Sequence, residues 1–324
     1  MQEFEWSGKS PNKGKVIIFP GQGTQALGMG KEVCDISAIT RKVWDCASDV
    51  SGIDVRKLCQ RGPMTRLDQT RYQQLAVTTV NVAMFNVFAE SDSLENTAFA
   101  GHSAGEYSAL YAAGVFDLET VFKAIIARAT IMQALAEQRK GAMYVIKDIS
   151  HDELQLVIAQ SGMSDVVKIA NDNSPRQQVI SGDVTAVKEL SHKLAQSGYG
   201  LVKLAVNGAW HSHLMQEGVE QLSQALAGLA FHVPRYPVYM NLTASVENNI
   251  SAIRRYLALH LTHHVRWRES MEACYCHGYR DFIEMGSKKI FGNMLMAQFP
   301  VEQKVSATCF SELRRQQLMD LCSS

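Results

Sequence analysis

The sequence predicts an α/β protein, a mainly parallel sheet wrapped by helices and interrupted by a small ferredoxin-like α+β unit. Three observations carry this reading. Short apolar or β-branched runs alternate with long helical patterns in the first part of the chain. A β-α-β-β-α-β order fills the middle. Helix and strand patterns then resume from residue 208 to the end, so the middle unit reads as an insertion. The expected domains are 1–139 with 208–324 for the large one, and 140–207 for the small one.

Taken in order, residues 1–14 form a polar lead-in, without an apolar leader segment between Met1 and Pro11. Lys15-Val16-Ile17-Ile18-Phe19 is a buried strand that enters a turn at Pro20-Gly21. Helical patterns run to about residue 90 and include 78–89. A strand over 97–100 is followed by a Gly-rich turn and by helical patterns over 106–113 and 118–138. In the insertion, strands are expected over 142–146, 166–170, 178–181 and 201–206, and helices over 151–160 and 184–197. Asn207-Gly208 ends that pattern.

Composition narrows the function. The chain has 324 residues, 46% of them apolar, with 32 basic and 32 acidic side chains. That balance argues against nucleic acid as a partner. No apolar run reaches the ~18 residues of a membrane span. The seven cysteines are odd in number, which with the missing leader predicts reduced thiols in a cytoplasm. Cys274-Tyr275-Cys276 has the wrong spacing for a zinc site.

The chemistry centres on Gly101-His102-Ser103-Ala104-Gly105, between the 97–100 strand and a helix. In that context Gly-x-Ser-x-Gly forms a nucleophile elbow, which aims the Ser103 hydroxyl away from the sheet; a serine there also serves as a plain helix N-cap. A serine nucleophile needs a base. His102 adjoins Ser103, and neighbours in a tight turn point apart. His211, in Gly208-Ala209-Trp210-His211-Ser212-His213 just after the insertion, is the better base, with a packing histidine as the alternative. His211 and His213 lack a third ligand, so no metal is expected. His263-His264 reads as a solvated or capping pair. An acyl-transfer oxyanion needs two N–H donors. Ala104 supplies one, and the Gly21-Gln22-Gly23-Thr24-Gln25 loop is suited to supply the other. Arg128 sits among Ala127, Ala129, Ile131 and Met132, on a helix that reads as buried. An unpaired guanidinium is costly there, so a substrate carboxylate is its expected partner; a solvated helix face is the alternative.

Six motifs in one order resemble the malonyl-CoA:acyl carrier protein transacylase family, which includes the acyltransferases of polyketide synthases. They are Phe19-Pro20-Gly21-Gln22-Gly23-Thr24-Gln25 with Gly28-Met29-Gly30, Gly101 to Tyr107, and Arg128-Ala129-Thr130-Ile131-Met132-Gln133. Asn171-Asp172-Asn173-Ser174-Pro175 with Val179-Ile180-Ser181-Gly182, Ala209-Trp210-His211-Ser212, and Asn241-Leu242-Thr243-Ala244 complete the set. The resemblance implies an α/β-hydrolase-like large domain with a ferredoxin-like insertion. It implies malonyl transfer from coenzyme A to the phosphopantetheine thiol of an acyl carrier protein, with Ser103 as nucleophile and His211 as base. Gln22 and Ala104 would form the oxyanion hole, Arg128 would bind the malonyl carboxylate, and Gln74, Trp210 and Asn173 would line the substrate. The backbone carbonyl of His260 would orient His211, which makes the His260 side chain unimportant. A monomer is expected, with malonyl-CoA as substrate and no cofactor.

The chain departs from that pattern at several positions. Ala104 stands for the usual Leu, Leu75 for a Pro, and Gly286-Ser287-Lys288 for Gly-Pro-Gly. His264 replaces a Pro before Val265-Arg266-Trp267. The changes at Gly286-Ser287-Lys288 and His264 point to a discrete polyketide-type enzyme more than to a fatty-acid enzyme. Trp210 replaces a Phe, and an indole there crowds a methyl branch, favouring malonyl over methylmalonyl by ~1–3 kcal/mol. Lys288-Lys289, Arg254-Arg255 and Arg314-Arg315 are candidate carrier-docking pairs. An acyl hydrolase on the same fold, and a non-catalytic subunit, are the competing readings.

Overall fold

The computed structural model describes residues 14–323, so the reading of Met1 to Pro11 lies outside the described residues. Two sheets organise the chain. The first has five parallel strands in the order β7-β2-β1-β8-β9: β1 (Lys15–Phe19), β2 (Thr97–Gly101), β7 (Val238–Tyr239), β8 (Asp281–Glu284) and β9 (Ser306–Cys309). The second is antiparallel, in the order β4-β5-β3-β6, and comprises β3 (Gly141–Lys147), β4 (Val167–Ser174), β5 (Gln177–Asp183) and β6 (Gly200–Lys203). This is the ferredoxin-like arrangement, with its first and third strands central.

The helices between strands follow the predicted pattern. Before β2 come α1 (Ala38–Ser51), α2 (Val55–Arg61), α3 (Met64–Leu67) and α4 (Thr70–Ser91). The elbow leads into α5 (Gly105–Ala112), followed by α6 (Leu118–Gln138), whose N-cap Asp117 accepts from Thr120 N–H. The inserted sheet carries α7 (His151–Gln160) and α8 (Val184–Gln196), which cover a core of Ile146, Leu154, Ile158, Val187 and Leu190. After it come α9 (Gln216–Ala227), α10 (Ile250–Leu259), α11 (Trp267–Cys276), α12 (Phe291–Gln298) and α13 (Phe310–Ser323).

The strand expected over 201–206 ends at Lys203. Leu204 N–H still reaches Met143 O, and the chain then turns away toward Asn207-Gly208. No helix among the described residues is long and apolar enough to cross a membrane. The six described cysteines at 34, 46, 59, 274, 276 and 309 are free thiols.

Two features hold the site end of the molecule together. The first is the tight contact between β1, β2 and α5. A Cβ on Gly105 would lie 2.1 Å from Phe19 O, so only glycine lets the helix approach the strand this closely. The second is the seam between the sheets. Asn171 on β4 bridges Val265, Asp172 N–H donates to Val265 O, and the fully buried Asp172 carboxylate pairs with Arg268 at 2.9 Å. The end of β4 is thereby fixed beside the elbow.

Candidate active site

Ser103 lies at the tip of the β2–α5 turn with φ 51°, a left-handed conformation that costs an L residue energy. The strain is held by neighbours: Ser103 N–H donates to Asn241 Oδ1 at 2.8 Å, and His102 N–H to Phe19 O at 3.0 Å. His211, on the loop after β6, also has a positive φ of 58°. Its Nε2 is 2.8 Å from Ser103 Oγ. Its Nδ1 faces two carbonyl oxygens, His260 O at 2.8 Å and His263 O at 3.1 Å. Carbonyls only accept, so Nδ1 carries the proton and the Nε2 lone pair points at the serine. Burial, then His260 and Arg128, holds the His211 pKa well below the usual histidine value. A neutral imidazole set against a serine hydroxyl is the chemical form of a general base.

Arg128, on α6, reaches the same point. It is 1% exposed, its Nη2 donates to Ser103 Oγ at 3.0 Å, and its Nη1 donates to Gln74 Oε1 at 2.7 Å. Gln74 Nε2 donates to Gln22 Oε1 at 3.0 Å, so α4, α6 and the loop after β1 are tied in one chain of bonds. Among the described residues no carboxylate lies within ion-pair distance of Arg128. Gly21 packs directly on the elbow: a Cβ there would sit 2.2 Å from His102 O and 3.4 Å from Ala104 N.

The model for the acyl transferase domain family matches residues 16–317. The chain belongs to the acyl transferase family. A malonyl CoA-acyl carrier protein transacylase of Bacillus subtilis is 35% identical over 294 residues, covering 89% of this chain and 74% of the relative. The crystal structure of malonyl-CoA:acyl carrier protein transacylase from Xanthomonas oryzae pv. oryzae superposes with a TM-score of 0.86 at 34% identity, covering 92% of this chain and 94% of that one. A malonyl transacylase in complex with its type II polyketide synthase acyl carrier protein superposes equally, with a TM-score of 0.86 at 31% identity and 92% and 96% coverage.

Of the acyl transferase positions expected from sequence, Ser103, His211, Arg128, Gln74 and the His260 carbonyl converge through direct hydrogen bonds. Asn173, at the end of β4, joins through His102: its Oδ1 is 2.9 Å from His102 Nε2, and burial lowers the His102 pKa to about 4. Trp210 is 5% exposed, and its ring edge and Ala136 both pack against Gly208 where a Cβ would sit. His213 sits 3.4 Å from Asp183, away from the His211 bonds. The His263-His264 reading holds for the exposed His263. His264 is partly buried against His151, and burial lowers its pKa to about 4.

Three supporting groups escaped the sequence reading. Asn241 holds the Ser103 amide, and the His263 carbonyl is a second acceptor for His211. The His260 side chain, expected to be immaterial, is 2% exposed with its Nδ1 3.4 Å from Glu106 Oε2. A buried polar ring beside a buried carboxylate is not an indifferent side chain. Asn241 and Glu106 both stood inside recognised motifs, which was the available signal.

Proposed function

We propose that this chain transfers a malonyl group from malonyl-CoA to the phosphopantetheine thiol of an acyl carrier protein through an ester on Ser103. The observation that carries the reading is Arg128, a buried guanidinium with no carboxylate within ion-pair distance among the described residues and only the buried Glu106 carboxyl acting on it from further off, its Nη2 3.0 Å from the Ser103 hydroxyl. A buried cation left unpaired is expensive, and a malonyl carboxylate offers the bidentate partner that a guanidinium fork accepts. Malonyl places that carboxylate one methylene from the carbonyl under attack, which suits a fork beside the nucleophile.

In the first half-reaction Ser103 Oγ attacks the thioester carbon as its proton passes to His211 Nε2. The oxyanion is received by the N–H groups of Gln22 and Ala104. The C–S bond breaks, and the coenzyme A thiolate takes the proton back from His211. In the second half-reaction the carrier thiol gives its proton to His211 and attacks the ester; the C–O bond breaks and Ser103 recovers its proton. The His260 and His263 carbonyls steady the Nδ1–H of the imidazolium in both directions.

The departures at Gly286-Ser287-Lys288 and His264 support a discrete polyketide enzyme over a fatty-acid one. For carrier docking, Lys288 and Arg314-Arg315 are the favoured basic residues, since both border Ser287. Arg254 is engaged by Leu229 O and the Phe231 ring, and Lys289 by Ala307 O. The Trp210 indole supports malonyl over methylmalonyl.

The test is a two-step labelling. The protein is incubated with malonyl-CoA, the adduct is mapped by mass spectrometry, and holo carrier proteins of polyketide and fatty-acid type are added in parallel. Malonyl on Ser103 that moves to a carrier supports the proposal, and faster transfer to the polyketide carrier supports the finer assignment. Release of free malonate alone, or no adduct, contradicts the proposal.

A further inference from the structure

Glu106, the second residue of α5, is 1% exposed, and the steps above make no use of it. Its Oε1 accepts from Asn241 N–H at 2.6 Å and from Asn241 Nδ2 at 3.1 Å. Asn241 in turn holds Ser103 N–H through Oδ1 and donates from Nδ2 to Gly101 O at 2.6 Å. The other carboxyl oxygen, Oε2, lies 3.4 Å from His260 Nδ1. The His260 ring packs on the His211 ring with centroids 4.5 Å apart, and its carbonyl accepts the His211 Nδ1 proton. One buried carboxyl thus touches the supports of both reacting groups.

We infer that the side chains of Glu106 and His260 form a positioning brace that fixes the Ser103 hydroxyl and the His211 imidazole relative to each other. The inference rests on the acyl-transfer reading above and assigns these two residues no contact with substrate. A backbone carbonyl orients an imidazole only as well as its own peptide is held. His260 is the C-cap of α10: its N–H still donates to Tyr256 O at 2.8 Å, but its carbonyl lies past the last helical bond and turns to His211, so the side chain is a further handle on its direction. The Glu106 carboxyl and the packing of the ring against His211 anchor that side chain. Other charged or titratable groups face the pair: Arg128 and Tyr107 near Glu106, and Arg128, His102, His263 and His264 near His260. Burial pushes the Glu106 carboxyl up to about 7 and the His260 imidazole well down, so both groups are shifted toward their neutral forms.

The test compares His260→Leu, which keeps bulk and carbonyl but removes the ring nitrogens, with His260→Gln, which retains an N–H donor of similar reach. Single-turnover acylation of Ser103 by malonyl-CoA is measured for each, and malonyl-CoA affinity is measured in a Ser103→Ala background. The expected result is a loss of about 10- to 100-fold in the acylation rate for His260→Leu, rescue toward wild type by His260→Gln, and unchanged affinity. Glu106→Gln combined with His260→Leu is expected to be no slower than the worse single variant, because both break one unit. Wild-type acylation in His260→Leu, equal losses in Leu and Gln variants, or affinity falling in step with rate overturns the brace. An adduct that persists in Ser103→Ala overturns the acyl-transfer reading instead.

Discussion

In the five-stranded parallel sheet, β1 and β2 are buried on both faces and end in loops that carry Gln22 and Ser103. The four-stranded sheet lays its core against α7 and α8, and touches the site through the end of β4, where Asn173 meets His102. Left-handed backbone at non-glycine residues occurs in turns of both units, at Asn96, Asp148, Ala244 and Lys304, and at the two reacting residues. Ser103 and His211 carry positive φ values of 51° and 58°. Strain is tolerated where many groups over-determine a position, and hydrogen bonds to Asn241, His260 and His263 do so for Ser103 and His211. The parallel sheet aims the chemistry, and the inserted sheet walls it.

This division is open to attack from both sides. The largest effect is expected from His211→Ala, which removes the base while leaving the parallel core intact. Ser103 acylation should fall by ~10²–10⁴-fold, read by single-turnover mass spectrometry, with little change in Tm. Leu154→Ala strikes the inserted sheet, where Leu154 is fully buried between α7 and the strands. It should cost ~2–5 kcal/mol in denaturant unfolding and leave the acylation rate of the folded protein near wild type. If Leu154→Ala slowed acylation as severely as His211→Ala, the division would collapse. Asp172→Asn probes the seam: it removes the charge facing Arg268, which keeps Glu272 as a second partner at 3.0 Å. A smaller loss of about 1–3 kcal/mol is expected, with acylation only mildly reduced.

The smallest effect concerns pH. His102 and His264, lowered to about 4 by burial, and His211 and His260, held well below the usual histidine value by burial, must take up protons on unfolding. Their contribution to stability is full above ~6.5 and is lost as pH falls toward 4. Glu106 and Glu284, raised to about 7 by burial, act with opposite sign, favouring the fold at low pH and losing that contribution as pH rises from ~4.5 to about 7. With four histidines against two carboxyls, net stability should decline modestly on the acid side. His264→Gln should flatten that decline, as measured by Tm at pH 5 and pH 7.

How much of this was legible in sequence depends on distance along the chain. β1 and the helices over 118–138 and 151–160 were readable because capping and periodicity are local. Ser103 was readable because its turn requires a five-residue pattern. The placement of His211 and Arg128 came from family resemblance, since no periodicity brings residues 103, 128 and 211 together. The Glu106–His260 contact was not legible at all. It joins the start of one helix to the end of another, while Asn241, on the loop after β7, holds the other oxygen of the same carboxyl.

The central claim is that Arg128 meets the carboxylate of the acyl group that Ser103 accepts. The direct measurement is the single-turnover acylation rate of Ser103 in wild type and Arg128→Ala, with malonyl-CoA and with acetyl-CoA. The account predicts a loss on the order of 10²-fold for malonyl-CoA and a much smaller one for acetyl-CoA, which has no carboxylate to bind. Equal losses for both substrates would contradict it.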